Sequence, residues 1–228
     1  EIRLSLVGSE MCIRDRFTIC IFICWHAETL RGLPADTAVF NIFKGDKKMA
    51  EYYTMKIAGL ERRLEKFPVN EKMDIAAFII FGDVELTIAG CEELRKKLPE
   101  FDVILTPEAK SIPIAYEMAR QTGKPYIIAR KGMKVYMRHP LEVNVTSITT
   151  QHEQHLFLGE SETNLIKGKK VLIIDDVIST GESLAAVREL VKEAGGTEAA
   201  ACAFLAEGDA ADRKDIIFLE KLPLFFKD

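Results

Sequence analysis

The chain has 228 residues, with 31 Lys and Arg against 35 Asp and Glu, for a formal net charge of −4. Apolar residues make up 48% and charged residues 29%, the balance of a globular protein rather than a disordered or collagen-like one. The mildly acidic charge gives no reason to expect a nucleic-acid surface, and no apolar run reaches the ~18–20 residues that a membrane-spanning helix needs. The length suits one α/β domain, or a domain with an appendage.

The first 48 residues differ from the rest. They hold Cys12, Cys20 and Cys24, three of the five cysteines, and the single Trp, Trp25. The segment 17–25 (FTICIFICW) follows Arg14, Asp15 and Arg16 in the manner of a secretory signal, but Ala27 and Ala35 stand in no small-x-small cleavage site. As a buried strand it lacks polar alternation and a partner. The string from Ser5 to Arg16 (SLVGSEMCIRDR) looks like a translated sequencing-adapter remnant, and Met49-Ala50-Glu51-Tyr52-Tyr53 reads as a natural beginning. Residues 1–48 are therefore expected to be a non-native or disordered leader, leaving 180 residues in 49–228, enough to bury one core. That part holds Cys91 and Cys202, which have no CxxC or Cys/His ligand spacing. Buried thiols in a reducing cytoplasm are expected, not a disulfide framework or a zinc site.

In chain order, 75–81 (IAAFIIF) is a strand candidate, and 85–98 has the apolar spacing of a helix stopped before Pro99. A short buried strand at 102–106 (DVILT) leads to a helix at 112–122, with Gly123 as its C-terminal stop. The strand 125–129 (PYIIA) follows. Residues 130–168 are polar, with weak alternation at Val143, Val145 and Ile148 and at Leu156 and Leu158, which reads as an extended loop carrying a hairpin-like pair. The clearest buried strand is 171–174 (VLII) and the clearest helix 182–194, closed by Gly195 and Gly196. Late strands are expected at 199–205 and 216–219. This alternation implies an α/β fold: a mostly parallel twisted sheet with helices on both faces and its functional loops at the carboxyl ends of the strands.

Chemistry concentrates in Val171-Leu172-Ile173-Ile174-Asp175-Asp176-Val177-Ile178-Ser179-Thr180-Gly181-Glu182-Ser183. A buried strand delivers two adjacent carboxylates at its carboxyl end. They repel one another and suit hydroxyl donors or a divalent cation. The next five residues wrap a helix N-terminus, where free N–H groups and the helix dipole favour an anion. Gly181 admits close backbone approach. A phosphate on one side and a polyol on the other, about one sugar apart, describes a ribose 5-phosphate. No GxxxxGK[ST] or GxGxxG occurs.

The stretch resembles the phosphoribosyl pyrophosphate (PRPP) signature of the phosphoribosyltransferase family. The resemblance implies the type I fold with a small N-terminal hood, about 49–83. It implies that Asp175 and Asp176 hold the ribose hydroxyls and that Ser179, Thr180, Gly181, Glu182 and Ser183 cradle the 5-phosphate. Thr106-Pro107-Glu108-Ala109-Lys110-Ser111 is similar to the pyrophosphate loop of the adenine branch, with Ser111 in place of a usual Gly. Arg130-Lys131 matches that branch at the entry to a lid. Glu108, Ala109, Lys110, Ser111, Arg130, Lys131 and Lys134 would then bind pyrophosphate, with Arg138 nearby, and Arg130, Lys131, Asp175 and Asp176 would carry catalysis. Phe78-Ile79-Ile80-Phe81-Gly82-Asp83 looks like the Phe-Arg-Asp hood segment, Gly82 replacing Arg. Phe81 and Val177 would contact the nucleobase.

What the resemblance implies is purine salvage: adenine plus PRPP gives AMP plus pyrophosphate, with Mg²⁺ bound mainly through PRPP and no metal ligand directly assigned. A cytoplasmic homodimer, with no nucleic-acid or membrane partner, is implied. Related 6-oxopurine enzymes carry Asp where Ser179 stands, which favours adenine. Another purine (xanthine, guanine or hypoxanthine) and a non-catalytic PRPP-sensing regulator are the alternatives. Glu207, Asp209 and Asp212 are further acidic groups near the same sheet edge. His152 and His155 are expected at the surface without a role.

Overall fold

Residues 50–146 and 153–227 are described by the computed structural model. The leader 1–48, Met49, Ile148 and His152 lie outside the described residues. From Ala50 onward the chain forms one unit by itself.

It begins with β1 (Tyr52–Ile57), β2 (Leu60–Asn70) and β3 (Met73–Ala76). These pair antiparallel in the order β1-β2-β3, and the sheet is completed by β11 (Phe225–Phe226) from the other end of the chain. The hood is thus built from both ends. The sequence showed little of β2, because Glu61, Arg62, Arg63, Glu65 and Lys66 crowd it and only Leu64 is buried. The strand expected at 75–81 ends at Ala76. Beyond it, Phe78 and Ile80 turn inward while Ile79 and Phe81 are exposed. Gly82, at φ 84°, makes a left-handed turn that a residue with Cβ would resist. The missing Arg of the hood segment therefore has a backbone reason.

Helix α1 (Val84–Arg95) is capped by Asp83, whose carboxylate accepts the Leu86 N–H at 3.0 Å. The same carboxylate takes a two-nitrogen grip from Arg62 of β2, at 2.6 and 3.0 Å, tying hood to helix. Strand β4 (Val103–Pro107) leads to α2 (Ile112–Thr122) and β5 (Tyr126–Ala129), close to the expected bounds. The hairpin pair is β6 (Leu141–Thr146) and β7 (Glu153–Leu158), antiparallel. A short helix, α3 (Glu160–Ile166), was not foreseen. Strand β8 (Lys170–Ile178), helix α4 (Glu182–Glu193), strand β9 (Thr197–Glu207), a 3₁₀ turn (Gly208–Asp212) and strand β10 (Ile217–Leu222) complete the body.

The central sheet is all parallel, in the order β10-β9-β8-β4-β5. Alternation along β8 feeds two cores. Leu172 and Ile174 pack with Cys91, Leu94, Ile114 and Met118 on the α1/α2 face. Val171 and Ile173 pack with Leu184, Val187, Leu190 and the hairpin residues Val143 and Leu156 on the other. Each fully buried aliphatic contributes about 1.5–3 kcal/mol. Cys91 and Cys202 are free and fully buried in the first core. The strand order reverses between β4 and β8, so a crevice opens at their carboxyl ends. The loops after β4 and β8 meet there.

Candidate active site

The acidic pair occupies the last turn of β8 rather than a loop after it, because the strand runs on to Ile178. Asp176 is 3% exposed, Asp175 half-buried, and the Asp176 N–H donates to Asp175 Oδ1 at 2.9 Å. Burial, and next the neighbouring Asp176 charge, push the Asp175 carboxyl up to about 7. The Lys110 ammonium lies 2.8 Å from Asp176 Oδ2 and partly offsets the repulsion. That oxygen is an ion-pair partner only: it accepts no well-directed hydrogen bond. A buried carboxylate oxygen held by an ion pair alone can exchange that partner for a ligand hydroxyl or cation. Among the described residues no group of three His, Cys, Asp or Glu could hold a metal unaided. Two adjacent carboxylates are oxygen donors of the kind a divalent cation accepts, short of a full ligand set.

Next come Ser179 and Thr180, exposed, then Gly181 at φ 83°, the N-cap of α4. Gly181 offers the helix no side-chain cap, and the Glu182 N–H reaches Thr180 Oγ1 at 3.5 Å, at the helix end whose dipole favours an anion. A cavity of about 100 Å³ is lined here by Asp175, Val177, Ser179, Thr180, Gly181 and Ser183. A second, of about 290 Å³, lies under the hood, lined by residues that include Ala77, Phe78, Lys110, Val177, Ser179 and Glu207. The two share Val177 and Ser179.

The loop after β4 brings in the second expected motif. The Glu108–Ala109 peptide is cis. Ser111 sits at φ −80°, a helical conformation open to any residue, so the replaced glycine leaves no strain. Its hydroxyl is buried, accepting from Thr106 Oγ1 at 2.7 Å and donating to the Pro107 carbonyl at 3.0 Å. Arg130 and Lys131, at the end of β5, reach the same loop. Arg130 Nη1 donates to Glu108 Oε1 at 3.3 Å, and the Lys131 N–H donates to Glu108 Oε2 at 3.2 Å. Lys110 and Arg130 thus each hold a carboxylate, Asp176 and Glu108, while Lys131 reaches Glu108 through its backbone N–H.

Other expected residues stand apart. Phe81 is 53% exposed and lines neither cavity, since alternation turns Phe78 inward instead. Lys134 stands in the segment after β5 and lines neither cavity; Arg138 lines a separate one with Tyr136 and Glu160. His155 faces Glu142 across the hairpin at 2.9 Å. Glu207, the last residue of β9, enters the hood cavity, while Asp209 and Asp212 belong to the 3₁₀ turn and line neither. An acid at a strand end has no periodic signal, which is why sequence alone gave Glu207 little weight.

Comparison with known proteins gives the same picture. Residues 85–223 match the phosphoribosyl transferase domain. The chain is 38% identical over 143 residues to an adenine phosphoribosyltransferase of Thermotoga sp. strain RQ2, covering 57% of this chain and 78% of that protein. It is 32% identical over 143 residues to a hypoxanthine/guanine phosphoribosyltransferase of Methanothermus fervidus, covering 59% and 72%. In fold it is similar to a crystal structure of adenine phosphoribosyltransferase from Thermoanaerobacter pseudethanolicus, with a TM-score of 0.59 at 22% identity, over 69% of this chain and 95% of that one. With the acidic pair, the helix N-terminus and the loop after β4 converging on one crevice, this chain belongs to the phosphoribosyl transferase family, in its purine-salvage branch.

Proposed function

We propose that this enzyme transfers the phosphoribosyl group of PRPP to adenine, giving AMP and pyrophosphate. The observation that carries the reading is the pair of adjoining cavities sharing Val177 and Ser179. One is small, polar and seated on a helix N-terminus; the other is larger and walled by Phe78, Ala77 and Val177. A sugar phosphate suits the first and a planar base the second. Glu207 supplies a hydrogen-bond acceptor in the base cavity. Adenine's amino group meets such an acceptor, as does the N1–H of a 6-oxopurine, so Glu207 orients a purine without selecting among them.

In this reading Asp175 and Asp176 orient the ribose by accepting its 2- and 3-hydroxyl hydrogens. Ser179, Thr180, Gly181, Glu182 and Ser183 hold the 5-phosphate. The bond from the anomeric carbon to pyrophosphate oxygen breaks, its electron pair leaving with pyrophosphate, and a purine nitrogen forms the new bond and gives up its proton to pyrophosphate or solvent. The charge that develops is oxocarbenium-like on the sugar and anionic on the leaving group. Lys110, Arg130 and Lys131 stabilise the leaving group by positive charge and the amides of 109–111 by their N–H dipoles, the Glu108 N–H being spent on the Ala129 carbonyl. To do so, Lys110 must exchange Asp176, and Arg130 Glu108, for substrate oxygens. Mg²⁺ bound mainly through PRPP, with Asp175 and Asp176 as the carboxylates that would help hold it, would supply further charge neutralisation. The segment 130–140, entered from Arg130 and Lys131, serves as the lid, over a hairpin whose Val143 and Leu156 belong to the core.

A cytoplasmic setting is supported by the two free buried thiols. A homodimer is supported by an apolar surface: Phe81, Val84 and Tyr116 are 53%, 68% and 57% exposed. Beside them lies a cavity of about 410 Å³ lined by residues that include Ile88, Pro113 and Tyr126. Exposed apolar patches of this kind mark association surfaces. The functional test offers PRPP and Mg²⁺ with each purine separately and follows pyrophosphate. Release with adenine supports the proposal; release only with a 6-oxopurine would shift the substrate, and none with any base would favour a regulator.

A further inference from the structure

Arg213 lies 32 residues beyond Gly181, just past the 3₁₀ turn, yet its guanidinium is packed against that glycine. A Cβ at position 181 would come within 2.2 Å of Arg213 Nη1 and 3.4 Å of its Cζ. Glycine at 181 therefore answers two demands, a positive φ and room for a guanidinium. Asp215 aims that guanidinium. Arg213 Nε donates to Asp215 Oδ1 at 3.0 Å and Nη2 to Oδ2 at 2.7 Å, a two-pronged grip that fixes its plane. The third nitrogen, Nη1, is the one turned to Gly181.

Asp215 is itself anchored. Its Oδ2 also accepts from Arg188 Nη1 at 2.7 Å, and Arg188 grips Glu198 with Nε and Nη2 at 2.8 Å each. Arg188 belongs to α4, the helix that Gly181 begins. The chain of charges Glu198, Arg188, Asp215, Arg213 thus ties the body of α4 to its own first residue. The two guanidinium groups hold the Asp215 carboxyl far below the usual carboxylate range.

A cation at a helix N-terminus opposes the helix dipole. Its placement there is electrostatically sensible when an anion shares the position. Arg213 is 29% exposed in its side chain, so its charge is only partly screened by water.

We propose that Arg213 is the positioning residue of the phosphate loop: it fixes the left-handed turn at Gly181 and sets a positive charge behind the loop that holds the 5-phosphate. This rests on the reading that residues 179–183 take the phosphate of PRPP. It predicts a role in PRPP affinity, separate from purine affinity and from turnover at saturation.

The test uses the full chain and measures three quantities: ribose 5-phosphate binding by calorimetry, the KM–kcat split for PRPP, and the melting temperature. Arg213→Ala is expected to weaken ribose 5-phosphate binding and raise PRPP KM about tenfold, the scale of one charge-assisted contact. Its kcat should stay within about twofold and its purine KM unchanged. Arg213→Lys restores charge without the two-pronged grip and should recover part of the affinity. Asp215→Asn keeps Arg213 but loosens its aim; it should raise PRPP KM by a smaller factor, and it serves if Arg213→Ala fails to fold. A folded Arg213→Ala with wild-type PRPP KM and only a lowered melting temperature would overturn the inference, leaving a structural tie. If the wild type itself binds neither ribose 5-phosphate nor PRPP, the functional reading fails first.

Discussion

Asp175→Asn should make the protein more stable at pH 8 while disabling it. The buried pair is costly by construction: Asp175 abuts Asp176, which is 3% exposed, and burial with that neighbour raises the Asp175 carboxyl from 3.8 to about 7. The native state therefore keeps a proton that the unfolded chain has already released. Between pH ~4 and ~7 the native state binds more protons, so stability falls as pH rises, and the full cost is present above about 7. A rise of that size corresponds to roughly 4 kcal/mol in a rigid site. Relaxation and water entry around a coupled pair reduce this to about 2 kcal/mol. Asn stays neutral, and its carbonyl can still accept the Asp176 N–H now bound at Asp175 Oδ1. At pH 8 the variant should melt about 4–8 °C above the wild type, and near pH 4 the two should coincide. Turnover should fall by about 100-fold or more, since an acceptor that charges the ribose contacts is gone. Thermal unfolding across pH 4–8, with activity at pH 8, reads both. No gain at pH 8, or an equal gain at both ends, would refute the electrostatic account.

Three other outcomes are expected. Gly90→Ala should cost about 1–2 kcal/mol, because its Cβ would come 2.3 Å from ring carbons of the fully buried Phe204; overpacking there outweighs the helix propensity of Ala, and a thermal melt measures it. Glu207→Gln should raise the purine KM about three- to tenfold and leave the PRPP KM unchanged; the reverse pattern in steady-state kinetics would remove Glu207 from the base cavity. Arg130→Ala should lower kcat about 10–100-fold with little change in nucleobase affinity, and an unchanged turnover number would count against its action on the leaving group.

The parts legible in the sequence were those where one physical demand dominates. Strand β8 and helix α4 declared themselves through four consecutive aliphatics and a clean helical face, and those aliphatics and that face, Leu184, Val187, Leu190 and Val191, are buried as expected. Helix α2 ends at Gly123 because its left-handed cap was written into the chain. The hood was harder. Charged residues cover β2, and β11 joins β3 from more than 140 residues away, a pairing no local pattern can announce. In the hood segment, alternation through 78–81 sends Phe78 and Ile80 inward and leaves Ile79 and Phe81 at the surface, a parity that the motif spacing does not show. Ser111 shows the converse, a departure from the family pattern made harmless by a helical φ and two hydroxyl contacts. Arg213 and Glu207 reach the site through tertiary contacts alone.

The central claim is that the crevice between β4 and β8 binds PRPP and passes its sugar to adenine. The most direct measurement mixes equimolar adenine, hypoxanthine, guanine and xanthine with limiting PRPP and Mg²⁺ and identifies the nucleotide formed by mass. The wild type should give AMP as the dominant product, and Asp175→Asn combined with Asp176→Asn should fold and give none. A 6-oxopurine nucleotide as main product, or AMP formation surviving in the double variant, would contradict the account.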